Sequence, residues 1–301
     1  MSGAKAPGNG LVVAAHGRHC IVESADGSRT LCHARGKKSA LVVGDSVHWQ
    51  PSGDEGVVDR VDERRNLLFR QDEWKTKSFA ANLDQLLILV AVEPMYGESQ
   101  LARALIAAEQ AGIPTLIVLN KTDLAAVDAA RERLAPYRAM GIRVLELSLK
   151  SRGDEARALL GPLLDGKSSL VLGPSGMGKS TLINLMVPQA AAQVGEISLA
   201  LNAGRHTTTS TTWYWLDGER RSALIDSPGF QEFGLRQVAA ADLPMLMPDI
   251  RAQAEDCRFY NCSHLHEPGC GVRAAVERGQ IGASRYRIYQ ELHGEVSATK
   301  W

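Results

Sequence analysis

The order of two short strings constrains this chain more than any other feature. Asn120-Lys121-Thr122-Asp123 precedes Gly173-Pro174-Ser175-Gly176-Met177-Gly178-Lys179-Ser180, and each follows an aliphatic run. The second string fits G-x-x-x-x-G-K-[ST]: backbone N–H groups cradle phosphates, the lysine reaches the β- and γ-phosphates, and the hydroxyl meets Mg²⁺. In the first string Asp123 can accept two hydrogen bonds from the Watson–Crick edge of guanine, where adenine has no matching donors. A site built on such bonds rejects the analogue lacking them by about 10⁴–10⁵, because its polar groups are left unpaired. A GTP site follows. Because the half that grips the base comes first, the reading is a circularly permuted GTPase.

The surroundings agree with that reading. From Leu83 the pattern alternates strand and helix: Leu86–Val92 as a buried strand, Glu98–Ala111 as helix, Thr115–Leu119 as strand. A helical stretch near Asp128–Met140 leads to a strand over Ile142–Leu147, and Ser169–Leu172 feeds the phosphate loop and a helix from Thr181. Such alternation predicts a doubly wound parallel sheet with polar motifs at the carboxyl ends of its strands. Before it, residues 10–70 read as five or six short strands, including Leu11–Val13, His19–Val22, Thr30–Cys32, Ala40–Val43, Val47–Trp49 and Gly56–Val61. They predict a small all-β barrel of OB-fold size, an SH3-like barrel or sandwich being the alternative. Asp26-Gly27 between two of them predicts a type I′ hairpin turn. Composition shifts again after residue 235, toward cysteine, histidine and a helical tail over Ile281–Val296. The expected division is 1–72 barrel, 73–235 permuted GTPase and 236–301 a small, mostly helical metal-binding domain.

Four further stretches carry chemistry. Asp226-Ser227-Pro228-Gly229 follows an apolar run and fits D-x-x-G, in which the carboxylate serves Mg²⁺ and the Gly229 N–H meets the γ-phosphate. Gly204-Arg205-His206-Thr207-Thr208-Thr209 has the hydroxyls a first switch needs; Thr208 is favoured over Thr207 as a Mg²⁺ ligand beside Ser180 and Asp226. Ser148-Leu149-Lys150 corresponds to the loop that packs on the base, with Leu149 where alanine is usual. Phe230 stands where a Ras-like site has a water-orienting glutamine, so slow intrinsic turnover is expected, with His206 the candidate to position water and Lys179 the other catalytic group. The nucleotide-binding set is then Asn120, Lys121, Thr122, Asp123, Ser148, Leu149, Gly173, Pro174, Ser175, Gly176, Met177, Gly178, Lys179, Ser180, Thr181 and Gly229.

Cysteine use points to metal. Three of the five cysteines fall within residues 257–270, and Cys257-x₄-Cys262-x-His264-x₅-Cys270 supplies the Cys₃His donors of a closed, structural zinc site. His266 could replace His264. Cys20 with His19 and Cys32 with His33 could face one another as a second site, ordinary strand packing being the alternative. Lys/Arg and Asp/Glu balance at 34 each, so charge alone names no nucleic-acid or membrane partner. The longest apolar run, Leu86–Val92, is far short of the ~20 residues that span a bilayer, and residues 1–10 lack a signal-like apolar stretch. A cytoplasmic chain with no membrane partner is expected.

Taken in this order, the motifs resemble the RsgA family of bacterial small-ribosomal-subunit biogenesis GTPases. The strings that carry the resemblance are Asn-Lys-Thr-Asp, Gly-Pro-Ser-Gly-Met-Gly-Lys-Ser, Gly-Arg-His-Thr-Thr-Thr, Asp-Ser-Pro-Gly-Phe and the Cys/His spacing. The resemblance covers nearly the whole chain. It implies an OB-fold that contacts ribosomal RNA, GTP hydrolysis stimulated by the small subunit, and release after hydrolysis as a late maturation factor. It also implies that the hydrophobic residue at Phe230 is a family trait, with His206 a catalytic candidate. Mg²⁺ with GTP, one structural zinc ion and a monomeric chain complete the expectation.

Overall fold

The computed structural model describes residues 8–36, 41–72, 75–190, 211–227, 234–235 and 237–298. His206, Thr207, Thr208, Gly229 and Phe230 lie outside the described residues.

Strands β1 (Gly8–His16), β2 (His19–Ser24), β3 (Arg29–Ala34), β4 (Ser46–Ser52) and β5 (Glu55–Val61) pair in the order β1-β2-β3-β5-β4. A further β1–β4 pairing closes them into a barrel. Period-two alternation sends Val12, Cys20, Val22, Cys32, Val47, Trp49 and Val58 inward. The same alternation sorts the expected second metal set onto two faces: Cys20 and Cys32 are wholly buried in the barrel core, whereas His19 is exposed. The cysteines take the packing alternative. Two local expectations fail. Among the described residues of the 24–28 loop only Gly27 has positive φ (86°), so the turn is not type I′; Ser24 O accepts from Gly27 and Ser24 N–H donates to Ser28 O, a longer loop with a glycine bulge. Of the strand expected over Ala40–Val43, the described residues 41–43 form no regular strand, Val43 making an isolated bridge to Ala80.

Strands β6 (Leu67–Asp72) and β7 (Lys75–Ala81) form a separate two-stranded sheet. Next come β8 (Gln85–Ala91), α1 (Glu98–Gln110), β9 (Thr115–Asn120), α2 (Val127–Ala139), β10 (Arg143–Glu146), α3 (Gly153–Leu164) and β11 (Ser168–Leu172). They are followed by α4 (Lys179–Met186), β12 (Thr211–Trp215) and β13 (Ala223–Asp226). The order β10-β9-β8-β11-β13-β12 is parallel except for the last pair. Every position of β8 and β11 is buried, as an apolar run covered by helices on both faces requires. The Thr-rich segment therefore leads into a strand that is not an edge, for β12 pairs with β13 on one side and with β1 of the barrel on the other.

The C-terminal region packs a 3₁₀ turn (Leu243–Leu246), α5 (Pro248–Ala254), α6 (Gly271–Glu277) and α7 (Ala283–Ala298) around Ile250, Val272, Ile288, Tyr289 and Leu292. Ala102 and Ile106 of α1 belong to this core rather than to that of the sheet. Among the described residues no helix is long and apolar enough to cross a membrane.

Candidate functional site

The ends of β9, β10, β11 and β13 converge on one edge of the parallel sheet, where open α/β folds bind ligands. An open cleft of about 490 Å³ lies there, with Asn120, Lys121 and Asp123 on one side and Ser175, Gly176, Gly178, Lys179, Ser180 and Thr181 on the other. The halves that sequence order separates are thus brought back together. Asn120 ties them: its side chain is buried, Nδ2 donates to Met177 O (2.8 Å) in the phosphate loop, and Oδ1 accepts from Leu149 N–H (3.1 Å). One amide therefore joins all three loops.

The phosphate loop needs glycine at two tight points. A Cβ on Gly173 would stand 2.3 Å from Leu89 O of β8, and one on Gly178 (φ 107°) would stand 2.4 Å from Asn120 Nδ2. Gly178 is also the left-handed cap that turns the chain into α4. Lys179 Nζ donates to Gly173 O (2.6 Å) and Pro174 O (3.0 Å), so the loop's own carbonyls hold the ammonium at its mouth. Burial lowers the Lys179 pKa, and the charge of Asp226 acts against that shift. Asp226, at the end of β13, is pushed up to about 6 by burial, opposed by Lys179 and by the Ser227 N–H. With the exposed Ser180 hydroxyl at the start of α4, Asp226 offers the hard oxygen donors that Mg²⁺ takes.

Asp123 is exposed, and hydrogen bonds from Ser148, its own backbone N–H and Ser151 hold its carboxyl below the usual range. It is thus an ionised, acceptor-only group facing the cleft. Thr122 works behind it: its hydroxyl donates to Leu147 O (3.1 Å), pairs with Ser148 Oγ (3.0 Å) and accepts from Arg152 (3.1 Å). Leu149 lines the cleft although mostly buried, which suits an apolar floor for a base. Ser148 is buried behind it, the Met177 side chain packs into the main core, and Gly173 and Pro174 stand at a neighbouring recess. Leu124 and Lys150 also line the cleft. Leu124 directly follows Asp123, and adjacency was the one available signal for it; Lys150 closes the Ser148-Leu149-Lys150 string. Lys121 adopts φ 63° and donates to Glu93 O (2.7 Å), bracing the base-side loop against the end of β8.

In the C-terminal region the ligand atoms of Cys257, Cys262, His264 and Cys270 lie within 4.8 Å of one another. Cys257 Sγ is 3.4 Å from His264 Nδ1 and 3.9 Å from Cys270 Sγ, and Cys270 Sγ is 3.6 Å from the same nitrogen. A tetrahedral zinc with Zn–S near 2.3 Å and Zn–N near 2.05 Å has S···S edges of about 3.8 Å and S···N edges of about 3.6 Å. The set fits such an ion. His266 is exposed and outside the cluster, so His264 is the imidazole. Glu267 holds the loop by accepting from Ser263 N–H (2.8 Å) and from the Leu265 and His266 N–H groups (3.3 and 3.2 Å).

A family model described as RsgA GTPase matches residues 61–236. The chain belongs to the RsgA GTPase family. It is 61% identical over 298 residues to the small ribosomal subunit biogenesis GTPase RsgA of Variovorax paradoxus, covering 97% of this chain and 94% of that protein. The corresponding RsgA of Burkholderia pseudomallei is 56% identical over 292 residues, covering 96% and 92%. Among solved structures, YjeQ from Thermotoga maritima matches with a TM-score of 0.71 at 30% identity over 97% of this chain and 99% of that one. YloQ, described as a circularly permuted GTPase, matches with a TM-score of 0.70 at 26% identity over 100% and 99%. The reversed motif order is thus the RsgA arrangement, and the chain is a GTP hydrolase.

Proposed function

We propose that this GTPase acts in assembly of the small ribosomal subunit, binding it in the GTP state, hydrolysing GTP and leaving late in maturation. The observation that carries the reading is full-length similarity to RsgA proteins whose names specify small-subunit biogenesis. The architecture supports it: the GTPase sheet is joined by two further domains, a barrel of the OB type, which commonly binds nucleic acid, and a Cys/His domain that a structural zinc would hold. In this reading GTP occupies the cleft, with Asp123 accepting from the guanine edge and the loop of Gly173–Ser180 around the phosphates. Lys179 leaves its carbonyls to meet the β- and γ-phosphates. Ser180, Asp226 and Thr208 would hold Mg²⁺, which would supply charge neutralisation at the phosphates. A water attacks the γ-phosphorus in line as the bond to the β-phosphate oxygen breaks, giving GDP and phosphate. With phenylalanine at 230, His206 positions that water once the subunit has ordered the site. The chain works as a cytoplasmic monomer whose switch is a timer.

GTP hydrolysis by the zinc-loaded protein, alone and with small or large subunits and with ATP as control, tests the proposal. Strong stimulation by the small subunit alone is expected, and it should be lost in Lys179→Ala. Equal stimulation by both subunits would remove the assigned partner.

A further inference from the structure

The outer face of the barrel gathers imidazoles that nucleotide chemistry does not use. The β1–β2 hairpin closes through Gly17-Arg18, with His16 directly opposite His19, and His19 is directly opposite His33 on β3. Directly opposed residues of an antiparallel pair project to the same face. Their neighbours Cys20 and Cys32 are wholly buried inside the barrel, so the three histidines stand outside, in a row across three adjacent strands. His16 and His19 are exposed, and the His33 side chain retains 41% of its surface.

Register sets the spacing. Ser24 donates its N–H to Ser28 O across the β2–β3 hairpin, and that ladder runs without a shift to His19 and His33. Alternation then turns the backbone of Val22 and Cys20 toward β3 and that of His19 toward β1. His19 and His33 therefore form a non-hydrogen-bonded pair, the close kind, with Cα atoms about 4.5 Å apart; His16 and His19, flanking a two-residue loop, form the other kind, at about 5.5 Å. Ligand nitrogens around a tetrahedral ion at about 2.05 Å stand roughly 3.4 Å apart, which rings on such neighbouring positions reach by side-chain rotation. His33 is also pre-set. Its Nδ1 lies 3.2 Å from Glu55 Oε2, an outer carboxylate that holds the proton on Nδ1 and leaves the Nε2 lone pair to a metal.

We propose that His16, His19 and His33 form a second metal site, for a divalent transition ion of the zinc or nickel type, with Glu55 as the outer partner of His33. Imidazole donors without a carboxylate cage select such ions over Mg²⁺ or Ca²⁺. Among the described residues only the Cys/His cluster already has its ligand atoms drawn together. The histidine row must order exposed side chains on binding, so it is the weaker of the two sites.

The test is equilibrium dialysis of Ni²⁺ against the full chain with its Cys/His site already filled with zinc. One additional nickel per chain is expected in the wild type and in His48→Ala, a barrel histidine outside the row. His19→Ala/His33→Ala should bind none while keeping the wild-type melting profile, because both positions lie on the outer face. Glu55→Gln should keep the stoichiometry and weaken binding by about 10- to 100-fold. No additional nickel in the wild type, or wild-type binding by the double variant, would overturn the site; unchanged affinity in Glu55→Gln would overturn the role of Glu55.

Discussion

The barrel and the C-terminal domain are both fixed to the GTPase sheet, the first through backbone and the second through side chains. At the barrel, β1 extends the sheet by pairing Ala14 with Thr212 and Ala15 with Thr211 of β12. Beside that seam the buried carboxylate of Glu23 accepts from the Trp215 indole N–H (2.7 Å) and from Arg29 (2.8 Å). At the C-terminal domain the described residues carry no strand across the joint. Instead α1 gives Ala102 and Ile106 to the other core, and ion pairs Arg103–Glu295 and Arg251–Glu109 fasten the rim. Arg285 of α7 is nearly buried, donates twice to Asp249 (2.8 and 2.9 Å) and stacks on Tyr137 of α2, the helix that follows the base-binding loop. A backbone seam moves with its strand, and Thr211 follows the Thr-rich segment of the sequence directly. A side-chain joint depends on the folding of what it joins.

That contrast can be broken most severely at the metal. Structural zinc sites carry apparent binding energies of about 10–16 kcal/mol in small domains, so Cys270→Ser or chelation should unfold α5–α7. Amide exchange should show protection lost there and kept in the barrel; loss in both would mean that the joints are not independent. Next in size is Arg285→Ala, which strands Asp249 and should cost about 3–5 kcal/mol, as removal of one partner of a buried pair does. Its measure is exchange in α7, with that in β1 and β12 unchanged. Trp215→Phe removes one donor from buried Glu23 and should cost about 1–3 kcal/mol, seen as faster exchange across the β1–β12 seam with α7 unaffected.

The nucleotide cleft gives a smaller, pH-dependent effect that neither joint should alter. The Asp226 pKa rises from 3.8 to about 6 because burial disfavours the ion. Ionisation therefore costs the folded protein stability as pH climbs through that window, and Mg²⁺ gains its ligand over the same range. Mg²⁺-dependent GTP binding should fall about tenfold per pH unit below 6, equally in Trp215→Phe and Arg285→Ala. Asp226→Asn should abolish the step and be more stable than wild type at pH 7.

Much of the cleft and of the Cys/His cluster was legible because phosphate, guanine and metal chemistry restrict residue types at fixed spacings, as at Asn120–Asp123, Gly173–Ser180 and Cys257–Cys270. Their strands were legible too, since a run such as Leu86–Val92 has no other stable place. The β1–β12 seam was not, because backbone pairing asks nothing particular of Ala14 or Thr212. Ala102 and Ile106 look like any apolar helix face, and only the fold says which core they enter. Asn120 was expected on the nucleotide, yet its amide also serves as the clamp between loops, a role set by distances between residues 57 and 29 apart in sequence. The β6–β7 hairpin was missed, and the turn at Asp26-Gly27 was expected in its place but with the wrong type, because local propensity yields to register.

The most direct measurement compares binding of GTP and of xanthosine triphosphate to the wild type and to Asp123→Asn. An asparagine replaces an acceptor by an N–H donor, which mismatches the guanine amino group and matches the xanthine carbonyl. If the rejoined halves form one GTP site, the variant should lose its preference for GTP and favour the xanthine nucleotide, with Lys179 still required for both. Unchanged GTP affinity in Asp123→Asn would contradict that account.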